Sequence, residues 1–297
     1  MAVGASLNGV RRPSAFLASE AAIAGRHSGR LQKAANAEAA DGSAQPRGPA
    51  STLVVCNWKC YPSTSAAREQ IKRFAKMQVP RNVEVLTAPC SVFLREMVAE
   101  YDASGSMCVV CSQDVSSAQS AFGPFTGDVT AGLLKDLGVG WTILGHSERR
   151  DGGPLGIDES RQLINRKLTA ALEQGLKVIL CVGESGDRDP AYVTRQLEDI
   201  CTDVANADEK LVVAYEPNSS VGTDRPVAAE EVNQTITDIK SNARCNLRNV
   251  RFIYGGSVDG SNAAQYTTQP NIDGIIVGRL WQKPDFEELL AIISTAS

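Results

Sequence analysis

Eight short apolar runs, rich in β-branched residues, alternate with longer amphipathic segments from residue 51 onward, and this alternation most constrains the fold. The apolar runs predict strands over Thr52–Cys56, Glu84–Ala88, Met107–Ser112, Trp141–Leu144, Lys177–Val182, Leu211–Tyr215, Arg251–Tyr254 and Ile272–Val277. The amphipathic segments predict helices over Ser65–Met77, Val92–Tyr101, Thr130–Leu137, Asp158–Gln174, Tyr192–Ala205, Ala228–Ser241, Ser261–Tyr266 and Asp285–Ile293. Eight strand–helix units in ~250 residues are typical of a closed (β/α)8 barrel. We therefore predict an α/β fold with one barrel domain over residues 51–297.

A doubly wound open sheet is the competing α/β architecture. In many such sheets a glycine-rich dinucleotide-binding motif follows the first strand. The first predicted strand here is instead followed by Asn57, Trp58 and Lys59. This difference favours the barrel.

Residues 1–50 differ in composition from the rest of the chain. They are rich in Ala, Ser, Gly and Arg, and they carry six basic and three acidic residues in a chain of net charge −4. This composition predicts a disordered extension that acts as a transit peptide to a plastid or a mitochondrion, and we favour the plastid. The alternative is an unprocessed tail on a cytoplasmic protein.

The body after residue 50 is acidic, which argues against a nucleic-acid partner. No apolar run approaches the ~20 residues of a membrane span, so we also expect no membrane association. The eight cysteines do not predict a disulfide framework, because the body is large enough to form a core without one. Cys108 and Cys111 have the spacing of a metal pair, but on a strand they point to opposite faces. With His146 the sole histidine of the body, we predict no metal site.

Polar residues follow several of the predicted strands at the ends where the functional residues of a barrel cluster. Asn57 and Lys59 follow the first strand, His146 follows the fourth and Glu216 the sixth. The loops after the seventh and eighth predicted strands contain Gly255, Gly256, Ser257, Gly278 and Arg279. Each also has a plainer interpretation. Lys59 would be a solvated lysine and His146 a histidine whose hydrogen bonds are satisfied in a loop. Glu216 would be a carboxylate in an ion pair at the rim, and Gly255 and Gly256 would form a tight turn. Their convergence on one end of a barrel favours a shared site.

His146 lies where a predicted strand ends and a helical turn begins. Backbone N–H groups at a helix start carry partial positive charge, which disfavours a protonated imidazole nearby. A neutral imidazole can donate a hydrogen bond to a carbonyl oxygen. We therefore expect His146 to be neutral.

Seven segments, in this order and spacing, resemble the triosephosphate isomerase family over the whole body. They are CNWKC (Cys56–Cys60), FTGDV (Phe125–Val129), ILGHSERR (Ile143–Arg150), LCVGE (Leu180–Glu184), AYEP (Ala214–Pro217), YGGSV (Tyr254–Val258) and IDGIIVG (Ile272–Gly278). The resemblance implies a barrel that interconverts dihydroxyacetone phosphate and D-glyceraldehyde 3-phosphate without a cofactor.

The resemblance also implies a role for each catalytic residue. Glu216 is the base and neutral His146 polarises the carbonyl, a pairing for which this family is itself the standard example. Lys59 stabilises the enediolate charge, Asn57 holds the oxygen side of the site, and Glu148 pairs with Lys59.

The same resemblance implies where the substrate phosphate and a partner subunit bind. Backbone N–H groups of Gly222, Ser257, Gly278 and Arg279 are expected to bind the phosphate. Gly255 and Gly256 lie in the same glycine-containing turns. A loop that includes Phe125, Thr126 and Asp128, together with Arg149, is expected to contact a second subunit in a symmetric homodimer. The alternative is an ordinary connecting loop.

The lid segment after Glu216 departs from the family pattern. Asn218, Ser219 and Ser220 replace a hydrophobic residue, a tryptophan and their neighbour, and Asp224 replaces a glycine. We expect the positive charge of Arg279 to offset the charge of Asp224. We expect Trp281 to pack in place of the lid tryptophan. A lid that closes less tightly should also release more methylglyoxal. The altered lid also permits an alternative function, a barrel that binds phosphosugars or regulates without catalysis. A third possibility is a different phosphosugar enzyme on the same fold.

Overall fold

A computed structural model describes residues 51–150, 155–184, 189–202, 210–245, 247 and 249–296. The expected leader lies outside this part of the chain, as do residues 203–205 at the end of one predicted helix. The described residues belong to one compact unit.

Eight parallel strands form a closed barrel in chain order, with the last strand pairing with the first. They are β1 (Thr52–Asn57), β2 (Val83–Ala88), β3 (Val109–Ser112), β4 (Trp141–Leu144), β5 (Lys177–Val182), β6 (Leu211–Tyr215), β7 (Arg251–Tyr254) and β8 (Gly274–Val277). The predicted (β/α)8 barrel is confirmed.

Helices follow every strand and form the outer layer of the barrel. They are α1 (Thr64–Ala75), α2 (Leu94–Ser104), α3 (Ala131–Leu137), α4 (Ser147–Arg150), α5 (Arg161–Glu173), α6 (Pro190–Ile200), α7 (Ala229–Asn242), α8 (Ala263–Thr267) and α9 (Phe286–Ala296). Single 3-10 turns occupy Ser91–Phe93 and Leu280–Gln282. No helix in the described residues is both long enough and apolar enough to cross a membrane.

Local capping explains where several helices begin. The Ser160 side chain accepts a hydrogen bond from the backbone N–H of Leu163, so α5 starts at Arg161 rather than at the predicted Asp158. Asp189 caps α6 in the same way, and Pro190 occupies the first helical position, where its missing N–H costs nothing. The cap residues thus fix the helix starts, whereas apolar periodicity alone locates them to within a few residues.

The barrel separates two apolar cores. Inward-facing residues of alternate strand positions, such as Leu53, Val55 and Cys111, fill the barrel interior. The larger core lies between strands and helices and includes Cys108. Cys108 and Cys111 therefore face opposite sides of the sheet, as the sequence predicts.

Candidate active site

The end of β1 is a strained turn that presents Lys59. Its backbone is left-handed (φ 49°), a region that non-glycine residues seldom occupy. The Asn57 side chain accepts a hydrogen bond from the Lys59 N–H (3.1 Å). Gln113 Nε2 donates to the carbonyl oxygens of Lys59 (2.9 Å) and Ala88 (2.8 Å), which holds the turn against the end of β2. These contacts fix the backbone from which the Lys59 side chain extends.

The end of β4 fixes the protonation pattern of His146. The backbone N–H of Glu148 donates to His146 Nδ1 (3.1 Å), so Nδ1 is an acceptor and carries no proton. A neutral ring then carries its proton on Nε2, which lies 3.7 Å from Glu216 Oε1. Glu148 also accepts from Lys59 Nζ at 2.7 Å, the ion pair expected from the resemblance. The imidazole therefore directs an N–H donor toward the Glu216 carboxylate.

Glu216 follows β6 directly, and its side chain is 2% exposed. The backbone N–H of Ser147 lies 3.4 Å from Oε2. A Cβ added at Gly255 would lie 2.6 Å from Glu216 Cγ, so only glycine fits beside this carboxylate.

Arg150 ties the Glu216 backbone to the neighbouring strand end. Its guanidinium donates to the carbonyl oxygens of Gly183 (2.7 Å) and Glu216 (3.3 Å), and it reaches Asn218 Oδ1 at 3.4 Å. Arg150 is buried, so these bonds are shielded from water. The guanidinium thus holds the backbone at Glu216, immediately before the lid segment begins.

One cavity of about 590 Å³ gathers these groups. It is lined by all the residues proposed for catalysis and for phosphate binding, namely Asn57, Lys59, His146, Glu148, Glu216, Gly222, Gly255, Gly256, Ser257, Gly278 and Arg279. Charged and polar side chains lie on its β1 and β4 side, and backbone turns lie on its β7 and β8 side. The cavity therefore brings titratable side chains and the backbone of glycine-containing loops to one place.

Lys59 connects the two sides of the cavity. A Cβ added at Gly278 would lie 3.3 Å from Lys59 Cε and 3.7 Å from Nζ, so the lysine stem passes against the backbone of the β8 loop. An anion held by the N–H groups of this loop is therefore adjacent to an ammonium. This arrangement suits a substrate with a phosphate at one end.

The lid segment, residues 217–227, is anchored through Ser220. Ser220 is fully buried; its Oγ lies 2.9 Å from Tyr254 Oη and accepts from the Ser257 N–H (3.2 Å). Ser257 Oγ in turn donates to the Ser220 carbonyl oxygen (2.6 Å), and Tyr254 Oη accepts from the Val227 N–H (3.2 Å). Polar contacts to the β7 loop thus hold the lid in this structure.

Asp224 and Arg279 face each other at the cavity mouth. Arg279 Nη2 lies 3.5 Å from Asp224 Oδ1, with side-chain exposures of 62% and 87%. Asp224 has a left-handed backbone (φ 56°), which explains why glycine suits this position. The positive charge of Arg279 does lie beside Asp224, as expected from the sequence.

The expectation for Trp281 is wrong. Its ring stacks on Trp58 at a centroid distance of 4.6 Å and also meets the edge of Phe74, a residue of α1. Nε1 donates to the Gly278 carbonyl oxygen (2.9 Å). Trp281 therefore packs between the barrel and its helices, because aromatic neighbours are available there and the lid offers none.

The residues proposed for subunit contact lie outside the cavity. Thr126 and Asp128 are exposed in a turn closed by the hydrogen bond from the Asp128 N–H to the Phe125 carbonyl oxygen. Arg149 pairs with Asp114 (2.8 Å) and Glu159 (2.6 Å) of its own chain. Burial raises the pKa of Asp114, while Lys167 and Arg149 oppose this rise. Arg149 thus orders its own loop, whatever its role toward a second subunit.

Within the described ranges, no three His, Cys, Asp or Glu side chains are grouped so as to hold a metal ion. The prediction that the protein needs neither metal nor cofactor stays a prediction.

Sequence reasoning missed four residues that position the site, namely Gln113, Arg150, Ser220 and Tyr254. Arg150 and Tyr254 lie inside family-like segments, so their positions could have been singled out. Gln113 and Ser220 act through contacts between distant loops, and no local pattern marks them.

The family comparison agrees with this geometry. A model of the triosephosphate isomerase family matches residues 52–296, which include every residue that lines the cavity. The chain therefore belongs to the triosephosphate isomerase family.

Proposed function

We propose that this protein interconverts dihydroxyacetone phosphate and D-glyceraldehyde 3-phosphate by proton transfer through an enediolate. One observation carries the proposal. A buried carboxylate, an imidazole with its proton on the ring nitrogen that faces this carboxylate, and an ammonium line one cavity. The family match supports the same reaction class.

In this proposal Glu216 removes a proton from the carbon next to the carbonyl. His146 Nε2–H donates a hydrogen bond to the carbonyl oxygen, which gains negative charge as the carbon loses its proton. The imidazole then moves a proton between the two oxygens, and Glu216 returns its proton to the neighbouring carbon. The electron pair left by the first C–H bond forms the new C–H bond, so no redox partner is needed.

Lys59 and the β7 and β8 loops supply the electrostatic part of the mechanism. The ammonium stabilises the enediolate oxygens, and preorganised charge of this kind contributes strongly to catalysis. The backbone at Gly278 lies against the lysine stem, which places the phosphate end near the same ammonium. Asn57, fixed by its bond to the Lys59 N–H, lines the oxygen side.

The test is a coupled assay in both directions on wild type and Glu216→Gln. We expect kcat to fall by about 10³-fold in the variant, because proton transfer by a positioned carboxylate contributes about 10²–10⁴-fold. Glu69→Gln, an exposed substitution on α1, is the matched control and should keep full activity.

Two results would contradict the proposal. Wild type that binds dihydroxyacetone phosphate without turnover would identify a binding or regulatory protein. Turnover of another phosphosugar, with none of triose phosphates, would identify a different enzyme on this fold.

We also propose that the protein is a symmetric homodimer. Support comes from large apolar side chains that are exposed in the loops after β1 to β4, namely Tyr61, Val92, Phe122 and Leu155, at 52–82% exposure. Large apolar groups that are exposed on neighbouring loops are typical of interaction surfaces. Sedimentation should give twice the chain mass, and Phe122→Asp should shift it toward the monomer. A wild-type monomer at micromolar concentration would contradict this.

Finally, we propose that residues 1–50 target the protein to plastids. Import of the full chain into isolated plastids, with loss of the leader, is expected. Import into isolated mitochondria alone would contradict the proposal.

A further inference from the structure

Trp281 connects the core around the barrel to the loop after β8. Its side chain is buried in the layer between strands and helices. Nε1 donates a hydrogen bond to the Gly278 carbonyl oxygen at 2.9 Å, and Gly278 and Arg279 both line the cavity. We propose that Trp281 is a positioning residue whose indole N–H holds the Gly278–Arg279 peptide group, so that the Arg279 N–H faces the cavity and binds a phosphate.

The geometry of the peptide group gives this contact a direction. The Gly278 C=O and the Arg279 N–H belong to one planar trans peptide group, so they point in opposite directions. The C=O is held from the helix side of the barrel wall, where the Trp281 ring lies. The N–H of the same group therefore points away from Trp281, toward the side that lines the cavity. Rotation of this peptide plane would turn the donor away from a bound anion.

The indole has little freedom to move. Arg73 of α1 donates hydrogen bonds to the carbonyl oxygens of Trp281 (3.3 Å) and Lys283 (2.9 Å), which fixes the backbone on both sides of the ring. The ring stacks on Trp58 with 9° between the two planes, and Phe74 meets its edge. A donor held in this way is preorganised, and preorganised donors stabilise bound charge most strongly.

The two stacked indoles differ in what their N–H groups contact. A buried indole N–H usually finds a hydrogen-bond partner. Trp58 is as buried as Trp281, yet within the described residues its Nε1 has no such partner. The N–H of Trp281 is therefore the one that joins the stack to the Gly278 loop. Trp58 offers a matched comparison, because its N–H can be removed without loss of this bond.

The held peptide group is close to the Lys59 ammonium. A Cβ added at Gly278 would lie 3.7 Å from Lys59 Nζ, so an anion bound by this loop also gains an attractive charge. The phosphate site is part of the proposed function, and the role of Trp281 rests on that proposal. A phosphate is held alike in the ground state and the transition state, so a weaker hold raises KM and leaves kcat unchanged.

The test measures the binding of inorganic phosphate to the full-length protein by phosphorus NMR, which requires no turnover. Trp281→Phe keeps an aromatic ring for stacking but lacks the N–H. We expect its Kd for phosphate to rise about fivefold, a usual effect of one lost hydrogen bond. KM for triose phosphates should rise by a similar factor while kcat stays at the wild-type value. Trp58→Phe is the matched control and should bind phosphate as the wild type does.

A second variant separates the N–H from the shape of the ring. In benzothienylalanine a sulfur atom replaces the indole N–H, and the bicyclic ring is retained. The protein with benzothienylalanine at position 281 should lose phosphate affinity to the same extent as Trp281→Phe. Its thermal unfolding should match that of the wild type, because the stack on Trp58 persists.

Three results would overturn the inference. The first is wild-type phosphate affinity in both variants at position 281. The second is an equal loss of affinity in Trp58→Phe, which would identify ring packing as the cause. The third is a wild type that binds no phosphate. If phosphate binds with the expected pattern but triose phosphates are not turned over, the proposed function fails while the role of Trp281 stands.

Discussion

The β1–β4 side of the cavity and the lid differ in how their residues are held. Lys59 and His146 each lie two residues after the end of a buried strand, and a hydrogen bond to a residue two positions away holds each of them. Gln113 adds one contact to the Lys59 turn. The lid is held instead by side chains from other elements, through Ser220 to the β7 loop and through Asn218 to Arg150. The β1–β4 side is positioned mainly by local hydrogen bonds at the strand ends, and the lid mainly by side chains of distant elements.

The two regions therefore differ in which substitutions they tolerate. Strand ends have little freedom because their backbone hydrogen bonds belong to the barrel. The lid can exchange an apolar anchor for a polar one, provided that some element across the cavity offers a partner. In this chain Tyr254 and Ser257 provide that partner for Ser220.

The largest effect is expected for Gly255→Ala on the barrel side. The added Cβ would lie 2.6 Å from Glu216 Cγ, and the Gly255 N–H is fixed to the Tyr215 carbonyl oxygen, so the carboxylate must move. We expect kcat to fall about 100-fold with a smaller change in KM, measured by steady-state kinetics. Gly260→Ala, where a Cβ meets open space in the same loop, is the control. Equal activity of both variants would show that the Glu216 position is not fixed here.

A smaller effect is expected for Ser220→Ala in the lid. Loss of the bonds to Tyr254 and Ser257 removes about 1 kcal/mol from the anchored state, which corresponds to about fivefold in kcat. A looser lid should also raise the share of turnovers that release methylglyoxal and inorganic phosphate. Exposed Ser219→Ala is the control. An unchanged product ratio in Ser220→Ala would show that Ser220 does not anchor the lid.

Asn218→Val tests the other lid contact. The long bond to Arg150 predicts a loss of about threefold in kcat/KM, since Arg150 keeps its bonds to Gly183 and Glu216. Asn218→Asp retains the acceptor oxygen and should retain activity. Equal losses in both variants would show that the amide acts by another route.

The smallest effect is expected for Arg279→Gly. The pair with Asp224 is exposed, so it contributes little to stability, but its removal leaves Asp224 unopposed near the phosphate. We expect KM to rise about twofold at low salt, with less effect at high salt. Asp224→Gly should lower KM and also relieve the left-handed backbone. An unchanged KM in Arg279→Gly would show that Arg279 does not offset the charge of Asp224.

Apolar patterning predicts the existence of each strand well and the strand ends less well. The predicted and observed bounds of β4, β5, β6 and β7 agree, because apolar β-branched runs there coincide with buried strands. The last strand starts at Gly274 instead of Ile272. The Asp273 carboxylate accepts from the Phe252 N–H at 2.7 Å and so takes the place of a strand partner. A side chain that substitutes for a backbone partner leaves no periodic signal.

The sequence determined the barrel and the residues that face its mouth, because strand alternation and strand-end chemistry are local properties of the chain. The contacts that hold these residues in place became visible in the folded structure. The stacking of Trp281 on Trp58 and the Ser220 anchor each join segments far apart in the chain. Such contacts depend on distances set by barrel closure, and no pattern within a single segment encodes those distances.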